Sequence, residues 1–183
     1  MSGTAPSKTA FKVSDLSQNA DTAFEIVPDT TALSDLAEML GLDGLRKLRF
    51  AGAVAAQGKA DWTLRGRLGA TVVQPCGVTL APVTTRIDVD VTRLFLLDYE
   101  EPDAPEVEMP EDETIEPLGQ WIDPHAVMIE ALSLEIPEFP RAADAELGEV
   151  VATEPGKQAL RDADLKPFAG LAALKAQLDD DSG

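Results

Sequence analysis

With 183 residues, 44% apolar but only 5% aromatic, the chain is long enough for one domain with a mostly aliphatic core. No apolar run approaches the roughly 18 residues of a membrane span, and residues 1–10 lack the apolar stretch of a signal peptide. One cysteine excludes an internal disulfide, so a cytoplasmic protein is expected.

The formal charge of −18 argues at first against nucleic acid, because phosphate binding rests on Lys and Arg. Its distribution weakens that argument. Between residues 41 and 93, eight basic residues (Arg46, Lys47, Arg49, Lys59, Arg65, Arg67, Arg86, Arg93) face four acids (Asp43, Asp61, Asp88, Asp90), a net +4 against −22 elsewhere. Residues 94–140 contain no Lys or Arg at all. The chain is polarised along its length.

In chain order, Phe11-Lys12-Val13 and Phe24-Glu25-Ile26-Val27 alternate as short strands around a polar turn at 17–21. Leu33, Leu36, Ala37 and Leu40 then recur at the spacing of one helix face, with Asp29, Thr30 and Thr31 as candidate caps and Gly41 as the stop. Leu48, Phe50, Gly52, Val54 and Ala56 alternate with Lys47, Arg49, Ala51, Ala53 and Ala55 as a half-buried strand does. Trp62, Leu64, Leu68, Ala70 and Val72 repeat the pattern against Thr63, Arg65, Arg67 and Thr71. For both apolar sets to face one core, paired residues must share parity, which requires an odd loop: three residues, or a bulge.

Val72 to Val83 joins this hairpin to a third strand. Pro75, Gly77 and Pro82 interrupt any ladder there, so Cys76 is placed in a connection, with the bend expected to matter more than the thiol. Val83, Thr85, Ile87, Val89 and Val91 alternate with Thr84, Arg86, Asp88, Asp90 and Thr92 to about Leu97. Residues 98–117 hold ten acids and four prolines, the composition of a flexible loop. Asp123 and Pro124 mark a helix start, continued by Val127, Met128, Ala131 and Leu132 and closed by Pro137. Residues 138–166 read as irregular, residues 168–178 as a short helix needing a docking surface, and 179–183 as a tail.

These elements predict a single α+β domain over 1–183. An antiparallel sheet, made of a long hairpin, a third strand and the N-terminal strands, is packed by two to three helices and carries a mobile acidic loop. One sheet face is apolar; the other bears Lys47, Arg49, Arg65, Arg67 and Arg86. That second face reads either as an ordinary solvated surface or as an anion-binding one, left open by the small Ala51, Ala53 and Ala55. The acidic loop reads as a solubilising excursion, a site for a basic partner, or a competitor lying over the basic face.

Catalytic chemistry is sparse. His125 is the only histidine, Cys76 has no CxxC partner, and no phosphate-cradling glycine motif occurs. No enzyme activity, metal, cofactor or small-molecule substrate is expected.

Three stretches together resemble the YceD family, the large ribosomal RNA subunit accumulation proteins. Val72-Val73-Gln74-Pro75-Cys76 resembles the family's Cys-x-Arg-Cys segment after a hairpin. Residues 121–137, with Asp123 and Glu130, are similar to its Ile-Asp-Leu and acid-bearing helix. Lys166-Pro167-Phe168-Ala169-Gly170-Leu171-Ala172-Ala173-Leu174-Lys175 is similar to its Asn-Pro-Phe-Ala-x-Leu-x-x-Leu-Lys ending. Where many members have the first cysteine this chain has Val73, and where they have arginine it has Pro75, so a paired-cysteine metal site does not carry over. The resemblance implies a non-enzymatic bacterial factor that supports synthesis, processing or stability of large-subunit ribosomal RNA. Its expected partner is ribosomal RNA, a pre-ribosomal particle or an RNA-processing factor, with the arginines as the contact for an anionic partner. The alternative is an adaptor whose acidic loop recruits a basic partner such as a ribosomal protein.

Overall fold

The alternating segments become long paired strands because each can bury one face only by pairing in register with its neighbours. The computed structural model describes residues 4–99 and 115–145. In chain order its elements are β1 (Phe11–Lys12), a 3-10 turn (Val13–Asp15), β2 (Thr22–Ile26), α1 (Thr30–Met39), β3 (Gly44–Gln57), β4 (Asp61–Pro75), β5 (Pro82–Leu96), β6 (Ile115–Pro117), β7 (Trp121–Ile122) and α2 (Pro124–Glu135). The main sheet runs β2-β3-β4-β5-β6, antiparallel except for the parallel β5/β6 pair. This is the expected α+β architecture.

The odd-loop expectation is met. Gln57 pairs with Asp61 around the three residues Gly58, Lys59 and Ala60, and Phe50 lies opposite Leu68, Val54 opposite Leu64 and Ala56 opposite Trp62. Gly58 takes the left-handed conformation at φ +66°, which glycine adopts without steric cost. Shared parity puts Phe50, Val54, Trp62, Leu64, Leu68 and Val72 on one face, none more than 2% exposed. Each fully buried side chain of this size contributes roughly 1.5–3 kcal/mol over its exposed state.

Both helices pack on that face. From α1, Leu33, Leu36 and Ala37 join the core; from α2, Val127, Met128, Ala131 and Leu132 do so. Asp29 accepts the Ala32 amide at 2.9 Å as the α1 cap, and Gly41 follows the helix at φ +65°. Asp123 accepts the His125 amide at 3.0 Å, and Pro124 occupies the first turn of α2. No helix among the described residues is long and apolar enough to cross a membrane.

Three features depart from the sequence reading. The first N-terminal strand does not join the main sheet: Phe11 and Lys12 pair with Ile122 and Trp121 in a small separate ladder, so Trp121–Ile122 is a strand leading into α2. Ile115–Pro117, assigned from composition to the acidic loop, is a strand held parallel to Leu94, Phe95 and Leu96. The remainder of that loop, residues 100–114, lies outside the described residues, as do residues 146–183 with the expected C-terminal helix and tail. The third strand closes at Leu96.

The third departure is a bulge. Arg49 pairs with Gly69 but Arg46 with Thr71, so Lys47 and Leu48 together oppose Ala70 alone. Lys47 sits at φ +52°, where a side chain costs about 1–2 kcal/mol. The extra residue reverses parity, so Leu45 and Leu48 both enter the core (6% and 2% exposed) while Arg46 turns outward.

Deleting Lys47 should therefore leave a regular ladder in which Leu45, Leu48 and Phe50 still point inward and Arg46 outward, with stability in urea unfolding equal to the parent's or up to about 1–2 kcal/mol above it as the left-handed strain is relieved. Lys47→Gly should stay within about 1 kcal/mol of the parent. A loss of ~3 kcal/mol or more on deletion, as burial of Arg46 would cause, would refute this register.

Candidate functional site

Strand register decides which cations can act together. On the face away from the helices, Arg49 lies opposite Gly69, Arg65 opposite Ala53 and Thr92, Arg67 opposite Ala51 and Asp90, and Arg86 opposite Thr71. The four arginines thus occupy one face of three adjacent strands. Lys47 is exposed within the bulge, beside that face but outside the regular alternation. Arg46 is an addition that simple alternation misses: it flanks Thr71 from β3 as Arg86 does from β5. The signal for it was present, since Leu45 and Leu48 stand three apart where alternation demands an even spacing.

Most of these cations already have partners. Arg49 Nε meets Glu25 Oε1 at 2.8 Å, Arg67 Nη1 meets Asp90 Oδ1 at 2.9 Å, and Arg86 grips Asp88 with two contacts of 2.7 and 3.0 Å. The Asp90 hydrogen bond and charge push the Arg67 guanidinium above its ordinary range. Hydrogen bonds from Arg86 and the charges of Arg86 and Arg67 hold Asp88 below the usual carboxylate range, against partial desolvation. All six side chains are about half exposed or more, so each pair adds little to stability and opens readily to a competing anion. Gly69 gives Arg86 room: a Cβ there would sit 2.7 Å from its Nη2. Arg46, Lys47 and Arg65 form no ion pair among the described residues.

The buried face holds a charge the sequence reading left unplaced. Arg93 follows Ile87, Val89 and Val91 in the inward phase of β5 and is 6% exposed. Its Nε lies 2.9 Å from Glu116 Oε1 of β6, and its Nη2 donates to Glu130 Oε1 of α2. A single guanidinium thereby joins three elements. Burial raises the Glu116 carboxyl above its ordinary range; Arg93 opposes that shift and the neighbouring Glu130 charge adds to it. Arg93 was legible as a charge in phase with apolar residues.

Of the remaining family positions, Asp123 caps α2 and also accepts from Ser7 Oγ at 2.7 Å. Glu130 is the Arg93 partner, and Pro167 and Phe168 lie outside the described residues. Cys76 immediately follows β4 and is fully buried. Its Sγ accepts from the amides of Val78 (3.5 Å), Thr79 (3.5 Å) and Ala142 (3.4 Å), while Gly77 N–H donates to Pro140 O at 2.9 Å. The turn after β4 is thus docked on the chain beyond α2. Donors around the sulfur favour the thiolate: the Thr79 side chain first, then the Ala142, Thr79 and Val78 amides, push the thiol down to about 6 against desolvation. No described group of three His, Cys, Asp or Glu residues could hold a metal.

Arg93→Ala should cost about 1–2 kcal/mol in urea unfolding, through the lost packing of the buried Arg93 stem and the loss of its charged hydrogen bonds to Glu116 and Glu130, and Arg93→Lys should recover only part of it. Ultraviolet titration of folded protein should give a Cys76 thiolate midpoint near 6, and a midpoint above 8 would contradict the three-donor geometry. Because the folded pKa lies below the unfolded one, near 8.5, stability relative to Cys76→Ser should rise between about pH 6 and pH 9 and be lost on acidification through 6.

Neither the curated proteins nor the solved structures compared give a match. The family model described as large ribosomal RNA subunit accumulation protein YceD matches residues 64–175, from β4 through α2 and beyond. The match takes in the buried Arg93 with its partners Glu116 and Glu130, the Cys76 turn, and Arg65, Arg67 and Arg86. With more than half of its length matched, this chain belongs to the YceD family of large ribosomal RNA subunit accumulation proteins.

Proposed function

We propose that this protein supports large-subunit ribosomal RNA accumulation as a non-enzymatic factor, contacting ribosomal RNA phosphates through the outer face of its sheet. The supporting observation is the gathering of Arg46, Arg49, Arg65, Arg67 and Arg86 on one face of three strands, opposite both described helices. Guanidinium is the donor of choice for phosphate, offering two parallel hydrogen bonds per contact. Arg46 and Arg65 make the first contacts, because they give up no intramolecular ion pair to do so. Arg49, Arg67 and Arg86 follow by exchanging Glu25, Asp90 and Asp88 for phosphate oxygens.

A second reading has its own support. The charge of −22 outside residues 41–93 suits an adaptor that recruits a basic ribosomal protein or processing factor through the acids of 98–116. The two readings predict opposite effects of reversing charge on the sheet face.

Arg46→Glu combined with Arg65→Glu should weaken binding to ribosomal RNA fragments by at least about tenfold at low salt and reduce the slope of log K against log salt by roughly one to two. Large-subunit ribosomal RNA should fall in cells carrying the double variant in place of the parent. Unchanged RNA affinity with tighter capture of basic ribosomal proteins would favour the adaptor.

A further inference from the structure

We infer that the arginine-bearing face takes double-helical RNA in preference to single strands, an inference that rests on the phosphate-contact reading of this same face. Sheets that hold single strands do so by stacking bases on aromatic side chains beside their cations, a contribution of ~1–3 kcal/mol per base. Register works against that here. Strands β2 to β5 carry four aromatic residues, Phe24, Phe50, Trp62 and Phe95. All four fall on the helix-covered face, none more than 8% exposed. Phe24 and Phe50 are packed on one another with ring centroids 5.0 Å apart.

Between the cations the outer face presents Ala51, Ala53, Gly69 and Thr71, whose methyl groups and bare backbone offer a base no π surface. What it does offer is charge spread in two directions. Arg46 and Arg49 stand on β3, Arg65 and Arg67 on β4, and Arg86 on β5. With strands ~4.8 Å apart and ~3.3 Å per residue, the patch extends about 10 Å across the strands and about 20 Å along them. A single extended strand follows one line of such a patch. A duplex presents two phosphate backbones across a wide, shallow minor groove, and so can engage the cations of β3 and of β5 at once. The low floor of small side chains allows that approach.

The test is fluorescence anisotropy on the full chain with two labelled RNAs of equal length, a perfectly paired hairpin and an oligouridine, at matched low and physiological salt. The hairpin should bind about tenfold tighter or more, and Arg65→Glu, with an unchanged circular dichroism spectrum, should remove most of that difference. Equal or tighter binding of oligouridine would overturn the duplex preference while leaving the phosphate contact standing. Binding of neither RNA by the parent chain would overturn both, and would return the face to a protein partner.

Discussion

Side-chain parity across the β3/β4 hairpin is the constraint on which the rest depends. A three-residue turn sets even residues opposite even ones, and from that single fact the core and the charged face separate. Slipping the pairing by one residue would place Phe50 beside an arginine and expose the leucines. The bulge at Lys47 and Leu48 is the one sanctioned exception, and it works in the same sense: it lets Leu45 stay inside although it stands an odd number of residues from Leu48. Hydrophobic burial and the gathering of cations are thus two outcomes of one register.

The second organising interaction is buried. Arg93 joins β5 to β6 and α2 through two half-exposed carboxylates, and a buried guanidinium held in this way is better at fixing arrangement than at adding net stability. Without it, α2 would rest on the sheet by aliphatic contacts alone, which tolerate sliding. Two charges with defined geometry select one placement, and that placement carries the chain on to Pro137 and Pro140, whose carbonyls receive Gln74 and Gly77 at the far end of β4.

Much of this was legible in the sequence. The strands, both helices with Asp29 and Asp123 as caps, and the odd hairpin loop follow from local chemistry and periodicity, where few alternatives compete. What escaped was non-local. Nothing near Phe11 says that its partner is Ile122, and composition alone assigns Ile115-Glu116-Pro117 to the acidic run because their strand exists only by pairing with Leu94, Phe95 and Leu96. Arg46 was missed because alternation was extended through a bulge. The carboxylate partners of Arg49, Arg67 and Arg86 depend on register and rotamer together. Cys76 was placed in a connection from its flanking prolines and glycine; its three amide donors come partly from residue 142, far along the chain.

The parallel β5/β6 pairing has a consequence for how this protein can change over time. Ile115 lies beside Leu94, so the acid-rich segment leaves and rejoins the sheet at nearly the same point on its edge. For a connection anchored in this way, doubling its length costs only about 0.6 kcal/mol in closure entropy. Its length can therefore change at little cost to the fold, while the two residues that bracket it, Arg93 and Glu116, remain tied to one another.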